Sequence, residues 1–195
     1  MDQSPSIKIV FIGDTRVGKS SLIKREIEDT FEKNQTPTIG SCYFEKDYDV
    51  DGNLYKLQIW DTAGQEKFKS LVPLYFRDAF CAIIVFAVDD KSSFDGIDKW
   101  TETLQASTGM VPYVVLVGSK IDIQTRVVTS QEAEAKARAL GCDYMETSSL
   151  TGEGVSDLFN FLARKASEFY GQDLNINRKY PELQMNDNTN KTCCN

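Results

Sequence analysis

Apolar positions follow two rhythms along the chain, and polar breaks mark where one gives way to the other. Ile7, Ile9, Val10, Phe11 and Ile12 make a nearly continuous apolar run, Cys81 to Val88 a second and Tyr113 to Gly118 a third. Such runs suit strands of a parallel sheet covered on both faces. Between them the spacing turns helical. Leu22 and Ile27 stand among charges in Ser21 to Asp29, and Phe94, Ile97, Trp100 and Leu104 recur through Ser92 to Ser107. Ser130 to Leu140, rich in Ala and Glu and followed by Gly141, predicts another helix. Leu158, Phe159, Phe161, Leu162 and Phe169 predict a closing one over Val155 to Tyr170. Tyr43 to Val50 and Leu54 to Trp60 read as strands joined by Asp51-Gly52, the signal of an antiparallel hairpin. Asp143 to Glu146 predicts a last short strand. Pro37 forces the first helix to end before it, which leaves Thr38-Ile39-Gly40 on a loop. Asp61 to Glu66 is a polar break after an apolar strand, and the segment from there to Arg77 is ambiguous. No internal repeat is visible. Beyond Gly171 the chain turns to Asn, Asp, Gln and Thr, so it reads as a folded unit over 1–171 and a tail over 172–195 too polar to fold alone.

Composition narrows the chemistry. At 195 residues and 41% hydrophobic content the chain suits one well-buried domain with an appendage, not two domains. A net charge of −7 argues against a broad phosphate-tracking surface for DNA or RNA, so no nucleic-acid partner is expected and any phosphate must be held locally. The absence of histidine removes Ser-His-Asp and Cys-His catalysis and histidine-ligated metal sites. Five scattered cysteines, Cys42, Cys81, Cys142, Cys193 and Cys194, make no disulfide framework and suit a reducing cytosol. The N-terminus lacks the pattern of a signal peptide, and nowhere do eighteen apolar residues run together, so neither secretion nor a membrane span is expected.

The segment Gly13 to Ser20 fits G-x-x-x-x-G-K-[ST] at every fixed position, after a strand-like run and before a helical one. Gly13 and Gly18 let the backbone curl so that N–H groups point inward and form an anion nest at a helix N-terminus. The stretch from Gly13 through Thr15, Arg16, Val17, Gly18, Lys19 and Ser20 to Ser21 is therefore the expected nucleotide-phosphate site. Lys19 adds a point charge for the β- and γ-phosphates, and Ser20 offers a hydroxyl to Mg²⁺. Loops after the first and third strands emerge at one sheet edge, where Asp61 is suited to orient Mg²⁺ through water. Thr38 supplies a second hydroxyl only if its loop closes over the ligand, which ties loop order to a terminal phosphate. Taken without the phosphate loop, Thr38 reads as a surface turn residue and Asp61 as a helix cap.

These residues resemble the Ras superfamily of small GTPases. Gly13 to Ser20, Thr38-Ile39-Gly40, Trp60-Asp-Thr-Ala-Gly-Gln-Glu66 and the pair Lys120 and Asp122 occur in that family's order and near its spacings. Lys56-Leu-Gln-Ile-Trp-Asp-Thr, Phe68, Tyr75-Phe76-Arg77 and the terminal Cys193-Cys194 look like a Rab protein within it. The resemblance spans about Ile7 to Phe169. It implies an α/β P-loop NTPase of small G protein type, a three-layer fold with a mostly parallel six-stranded sheet, one antiparallel edge hairpin and helices on both faces. It also implies a GTP/GDP switch that uses Mg²⁺ and hydrolyses GTP in vesicle trafficking, with Gln65 positioning the attacking water and Gly64 donating its N–H to the γ-phosphate. The alternative is a GTP-binding scaffold with little hydrolysis or altered base affinity. A small nucleotide kinase is disfavoured because Asp122 and Gln65 would have no role.

Departures from the family pattern fall at the base. Where the family has Asn-Lys-x-Asp, this chain has Ser119-Lys120-Ile121-Asp122. Asp122 can accept from both the ring N–H and the amine of guanine, contacts that adenine cannot make. The shorter Ser119 predicts weaker binding or faster release. Thr147-Ser148-Ser149-Leu150 stands where the family often has Ser-Ala-Lys. Ser148 and the Ser149 backbone remain suited to the base, whereas Leu150 brings no ammonium. Phe31 matches the aromatic that packs across the guanine edge. Thr15 and Arg16 fill positions where glycine is frequent, and side chains there crowd an incoming catalytic arginine. No arginine is an evident self-supplied finger, so hydrolysis should be slow and activator-dependent. By resemblance, Ile39, Tyr43, Trp60 and Tyr75 form the effector interface. The ending Cys193-Cys194-Asn195 resembles a doubly geranylgeranylated Rab tail, and two lipids suit durable anchoring of a tail without polybasic surplus. The implied partners are an exchange factor, a GTPase-activating protein, effectors, a GDP dissociation inhibitor or escort and a prenyl transferase. The protein is expected as a monomer on the cytoplasmic face of an endomembrane compartment, cycling with cytosol.

Overall fold

Alternating burial along the strands sets the layers. The computed structural model describes residues 4–33, 35–63, 75–107 and 112–171. Its elements are β1 (Ser6–Ile12), α1 (Lys19–Glu28), β2 (Ser41–Val50), β3 (Asn53–Thr62), β4 (Cys81–Ala87), α2 (Lys91–Asp95), α3 (Ile97–Ser107), β5 (Tyr113–Ser119), α4 (Ser130–Leu140), β6 (Asp143–Thr147) and α5 (Val155–Gly171). One six-stranded sheet runs in the order β2-β3-β1-β4-β5-β6. Among the described residues only the β2–β3 pairing is antiparallel, as the hairpin reading expected.

Side chains two residues apart share a face. Ile7, Ile9, Phe11, Ile83 and Val85 pack with Leu22, Ile23, Leu158, Phe159 and Leu162 from α1 and α5. Val10, Ile12, Ala82, Ile84 and Phe86 pack with Phe94, Ile97, Trp100 and Leu104 from α2 and α3 and with Ala133 and Ala137 from α4. β4, at the sheet centre, is buried at every position, which accounts for its unbroken apolar run. Because β1 is flanked by β3 on one side and β4 on the other, chain direction across the sheet reverses there. The loops leaving β1, β3, β5 and β6 meet at the carboxyl edge beside that reversal.

Several boundaries differ from the periodicity. The expected helix Ser92 to Ser107 is two helices, separated at Gly96. Asp90 caps α2 by accepting from the backbone N–H of Ser92 and Ser93, and Gly96 ends it with its N–H on the Ser92 carbonyl at 2.9 Å. Glycine has low helix propensity, and a Cβ at this position would lie 3.0 Å from Asp14 Oδ2 in the phosphate loop. α1 starts at Lys19, inside the phosphate motif, two residues before the apolar spacing shows it. β3 continues through Asp61 and Thr62, pairing Asp61 with Phe11 and Cys42, so the polar break begins later than its composition suggests. The Asp51-Gly52 turn has φ +54° and +81°, the left-handed pair of a tight hairpin. Thr129 and Glu132 form a reciprocal capping box at α4, and Gly141 closes it in the left-handed region. Most of the ambiguous segment before Arg77, and the tail 172–195, lie outside the described residues.

Candidate functional site

A cleft of about 470 Å³ opens along the carboxyl edge of the sheet, lined in part by Arg16, Lys19, Ser20, Phe31, Thr38 and Asp122. Its middle is the turn from β1 into α1. Gly13 and Gly18 have φ +135° and +97°, and a Cβ on Gly13 would stand 2.2 Å from the Val85 carbonyl oxygen. Gly18 caps α1 with no side-chain acceptor, so the helix presents free N–H groups to whatever enters. Lys19 is 5% exposed. Its ammonium donates to the carbonyls of Gly13 at 2.8 Å and Asp14 at 2.9 Å, which leaves one proton for a ligand. Burial lowers its pKa to about 8, against the opposing charges of Asp61 and Asp14.

At one end of the cleft three oxygens converge. Ser20 Oγ donates to Asp61 Oδ2 and lies 2.7 Å from Thr38 Oγ1, which is itself 3.3 Å from Asp61 Oδ2. Asp61 Oδ1 is buried and has no partner among the described residues. Burial raises the Asp61 carboxyl, while the Ser20 hydroxyl and Lys19 oppose the shift. Two hydroxyls and one carboxylate, whose second oxygen is the orphaned one, are the donor chemistry of Mg²⁺, which is held by few protein oxygens and completes its shell from phosphates and water. Among the described residues no cluster of three His, Cys, Asp or Glu offers an all-protein cage. The site therefore fits the ion that the sequence implies.

The loop bearing Thr38 is folded over this end. Ser21 Oγ donates to Gln35 Oε1 at 2.7 Å, and Ala63 N–H to the Gly40 carbonyl at 2.9 Å. Gln35, Thr36 and Pro37 line the cleft, a contribution that the polar stretch before Pro37 did not announce.

At the other end, Ser148 Oγ donates to Asp122 Oδ1 at 2.5 Å and receives the Thr151 N–H at 3.1 Å. Ser148 is fully buried and does not line the cleft; it aims the Asp122 carboxylate, whose Oδ2 accepts no hydrogen bond among the described residues. Ser149, Leu150 and Ile123 line this end together with Phe31, which is 39% exposed. Lys120 adopts φ +63° and places its ammonium 3.4 Å from Asp89. Ser119 is 2% exposed, and its hydroxyl sits between the carbonyls of Val17 and, at 2.9 Å, Phe86. Its single proton serves one of these carbonyls at a time, and the Val17 contact is the one that reaches the phosphate loop.

Two supports escaped the sequence. Trp100 Nε1 donates to Asp14 Oδ1 at 2.9 Å and fixes the phosphate loop to α3. Arg126 grips both oxygens of Glu146 and donates from Nε to the Val128 carbonyl at 2.6 Å, bracing the segment after β5 against β6. That guanidinium holds the Glu146 carboxyl down at about 2. No short motif signals such pairs, because the partners are far apart in sequence.

Outside the cleft, Trp60 meets Tyr43 edge-on at 5.1 Å and Tyr75 at 6.1 Å, with the Lys8 ammonium 5.2 Å from its ring. Ile39, 84% exposed, stands on the loop that leads into β2. Tyr43, Trp60 and Tyr75 are thus brought together as an aromatic cluster. Gln65, Gly64, Cys193 and Cys194 lie outside the described residues.

Comparison with known proteins matches the Ras family over residues 8–168. The chain is 36% identical over 194 residues to the Ras-related protein RABF2b of Arabidopsis thaliana, covering 99% of this chain and 97% of the relative. It is 40% identical over 162 residues to the Ras-related protein SEC4 of Saccharomyces cerevisiae, covering 83% and 75%. With the GTP-binding protein ypt5 of Schizosaccharomyces pombe it shares 39% identity over 161 residues, covering 81% and 76%.

Proposed function

This chain belongs to the Ras family, as one of its Rab-type small GTPases, and from that premise we propose how its residues divide the work of binding and hydrolysing GTP. The observation that carries the assignment is one cleft with a buried lysine at its middle, a cation-type oxygen cluster at one end and a presented carboxylate at the other. Backbone N–H groups of the turn from Gly13 to Ser20, with Lys19, hold the β- and γ-phosphates. Ser20 and Thr38 would supply hydroxyl oxygens to Mg²⁺, and Asp61, hydrogen-bonded to both, would orient them. The bound ion spreads positive charge over the phosphate oxygens where negative charge develops. Asp122, aimed by Ser148, accepts two hydrogen bonds from guanine and leaves adenine with a mismatched edge. Phe31, Leu150 and Ile123 shield the base.

Gln65 accepts from the attacking water and donates toward the developing charge, while the Gly64 N–H meets the γ-phosphate. Positioning then carries the barrier and no base of shifted pKa is needed. Because Thr38 reaches the cation end only with its loop closed, loss of the terminal phosphate frees that loop. The aromatic patch of Tyr43, Trp60 and Tyr75 beside Ile39 then reports nucleotide state to effectors.

The family works with exchange factors, activating proteins and effectors in endomembrane trafficking. For this chain the finer reading is a monomeric folded unit over 1–171 and a tail over 172–195, prenylated at Cys193 and Cys194. An escort and a prenyl transferase would serve that tail, and the protein would cycle between cytosol and a membrane's cytoplasmic face. Membrane fractionation tests it: a doubly substituted Cys193→Ser, Cys194→Ser chain should move to the soluble fraction, and unchanged association would refute the tail assignment.

Single-turnover hydrolysis of preloaded GTP tests the site. Gln65→Leu should lose about 10²-fold or more in rate; equal rates in both chains would leave a GTP-loading scaffold. GTP should also outcompete ATP, and parity would remove Asp122 as the guanine reader.

A further inference from the structure

Arg16 holds a left-handed backbone, φ +67°, at the lip of the cleft. That conformation belongs to the curled backbone of the anion nest, and it leaves the Arg16 side chain standing at the lip of the cleft. The surroundings make the loop a rigid platform. The hydroxyl of Ser119 holds the Val17 carbonyl, Lys19 holds those of Gly13 and Asp14, and Trp100 holds the Asp14 carboxylate. Lys19 spends two of its three protons on those carbonyls, and Lys120 is paired with Asp89. The Arg16 guanidinium is exposed, lines the cleft and makes no hydrogen bond, ion pair or ring contact among the described residues, although Glu32 and Asp122 line the same space.

We propose that Arg16 is a second cationic contact for the polyphosphate arm of the bound nucleotide, and that it governs how long the nucleotide stays. The inference rests on the guanine-nucleotide reading of the cleft. A guanidinium forks onto two phosphate oxygens at once, which an ammonium cannot do, and one with no ion pair among the described residues breaks none of their contacts when it turns inward. An exposed contact of this kind forms in ground and transition states alike, so its effect falls on retention. The same residue offsets a retention deficit at the base, where Ser119 and Leu150 replace longer or charged side chains.

The test is release of tritiated GDP from the preloaded full chain with unlabelled GDP in excess, for wild type, Arg16→Gln, Arg16→Lys and Arg16→Gly. Arg16→Gln should release about tenfold faster at low salt. Arg16→Lys should fall between. Arg16→Gly relieves the backbone and still loses the cation, so it should release as fast as Arg16→Gln. At 1 M salt, where screening shortens to about 3 Å, the gap to wild type should narrow. Release at the wild-type rate in both Arg16→Gln and Arg16→Gly overturns the proposal. So does wild-type retention in Arg16→Gly alone, which would assign the effect to strain. Unchanged release with lost GTP hydrolysis in Arg16→Gln overturns it in favour of a catalytic cation. A wild-type chain that retains no GDP defeats the underlying reading as well, a result distinguishable because every variant would then be equally empty.

Discussion

Gly13 and Gly18 belong to one motif but are needed for different reasons. A Cβ on Gly13 would meet the Val85 carbonyl oxygen at 2.2 Å, whereas around Gly18 the nearest atoms belong to Ser119 and lie at 3.8 and 3.9 Å. Both have positive φ, so both penalise a side chain through the backbone, but Gly13 also lacks the space. Gly13→Ala should therefore destabilise the fold by about 3 kcal/mol, as overpacking against backbone adds to strain. Gly18→Ala should cost about 1 kcal/mol, the left-handed penalty alone. Chemical denaturation of the two variants checks this, and equal midpoints would show that the Val85 carbonyl moves aside freely. Residue types told the motif's chemistry, because few patterns besides a phosphate loop put glycine, lysine and serine at that spacing. They did not tell that Ser148 would serve Asp122 rather than the cleft, nor that the Ser119 hydroxyl would turn to a backbone carbonyl. Both roles depend on how deep a short side chain sits, which spacing does not encode.

Element by element, the strands were legible because the sheet is covered on both faces and its central members admit only apolar residues. The helix boundaries were less so. Gly96 divides the helix over Ser92 to Ser107, closing the first piece with its N–H on the Ser92 carbonyl, a boundary that apolar periodicity does not carry. The segment after β5 is held by its Arg126 reaching across to Glu146 on β6, where Tyr144 of the same strand also donates. With its folded pKa at about 2 against an ordinary 4.5, Glu146 contributes stability that is present above pH 4.5 and lost as the pH falls toward 2. Wild type should thus exceed Glu146→Gln in stability most at neutral pH, and denaturant titrations at stepped pH should show the difference shrinking through that window. A difference that widens on acidification would reverse the assignment. The variant should also weaken guanine-nucleotide binding, since the braced segment carries Lys120 and Asp122.

On the scale of the whole molecule, the cleft joins segments from both core layers, so occupancy and folding are linked. A ligand bound only by the folded state stabilises it by about 2.7 kcal/mol at one hundred times its dissociation constant. Chelating Mg²⁺ from the nucleotide-loaded chain should lower the thermal midpoint and speed nucleotide release, since the Ser20, Thr38 and Asp61 oxygens then face the phosphates without an ion between them. A midpoint indifferent to chelator would remove those residues from the cation site. The two tryptophans of the chain give this linkage an unforeseen convenience. Trp100 hangs its indole N–H on the phosphate loop, and Trp60 sits among Tyr43 and Tyr75 with its own N–H buried and unpartnered among the described residues. Ultraviolet emission from the unlabelled protein should therefore resolve loading from loop rearrangement. A Trp60→Phe chain would see only the first, and a Trp100→Phe chain only the second.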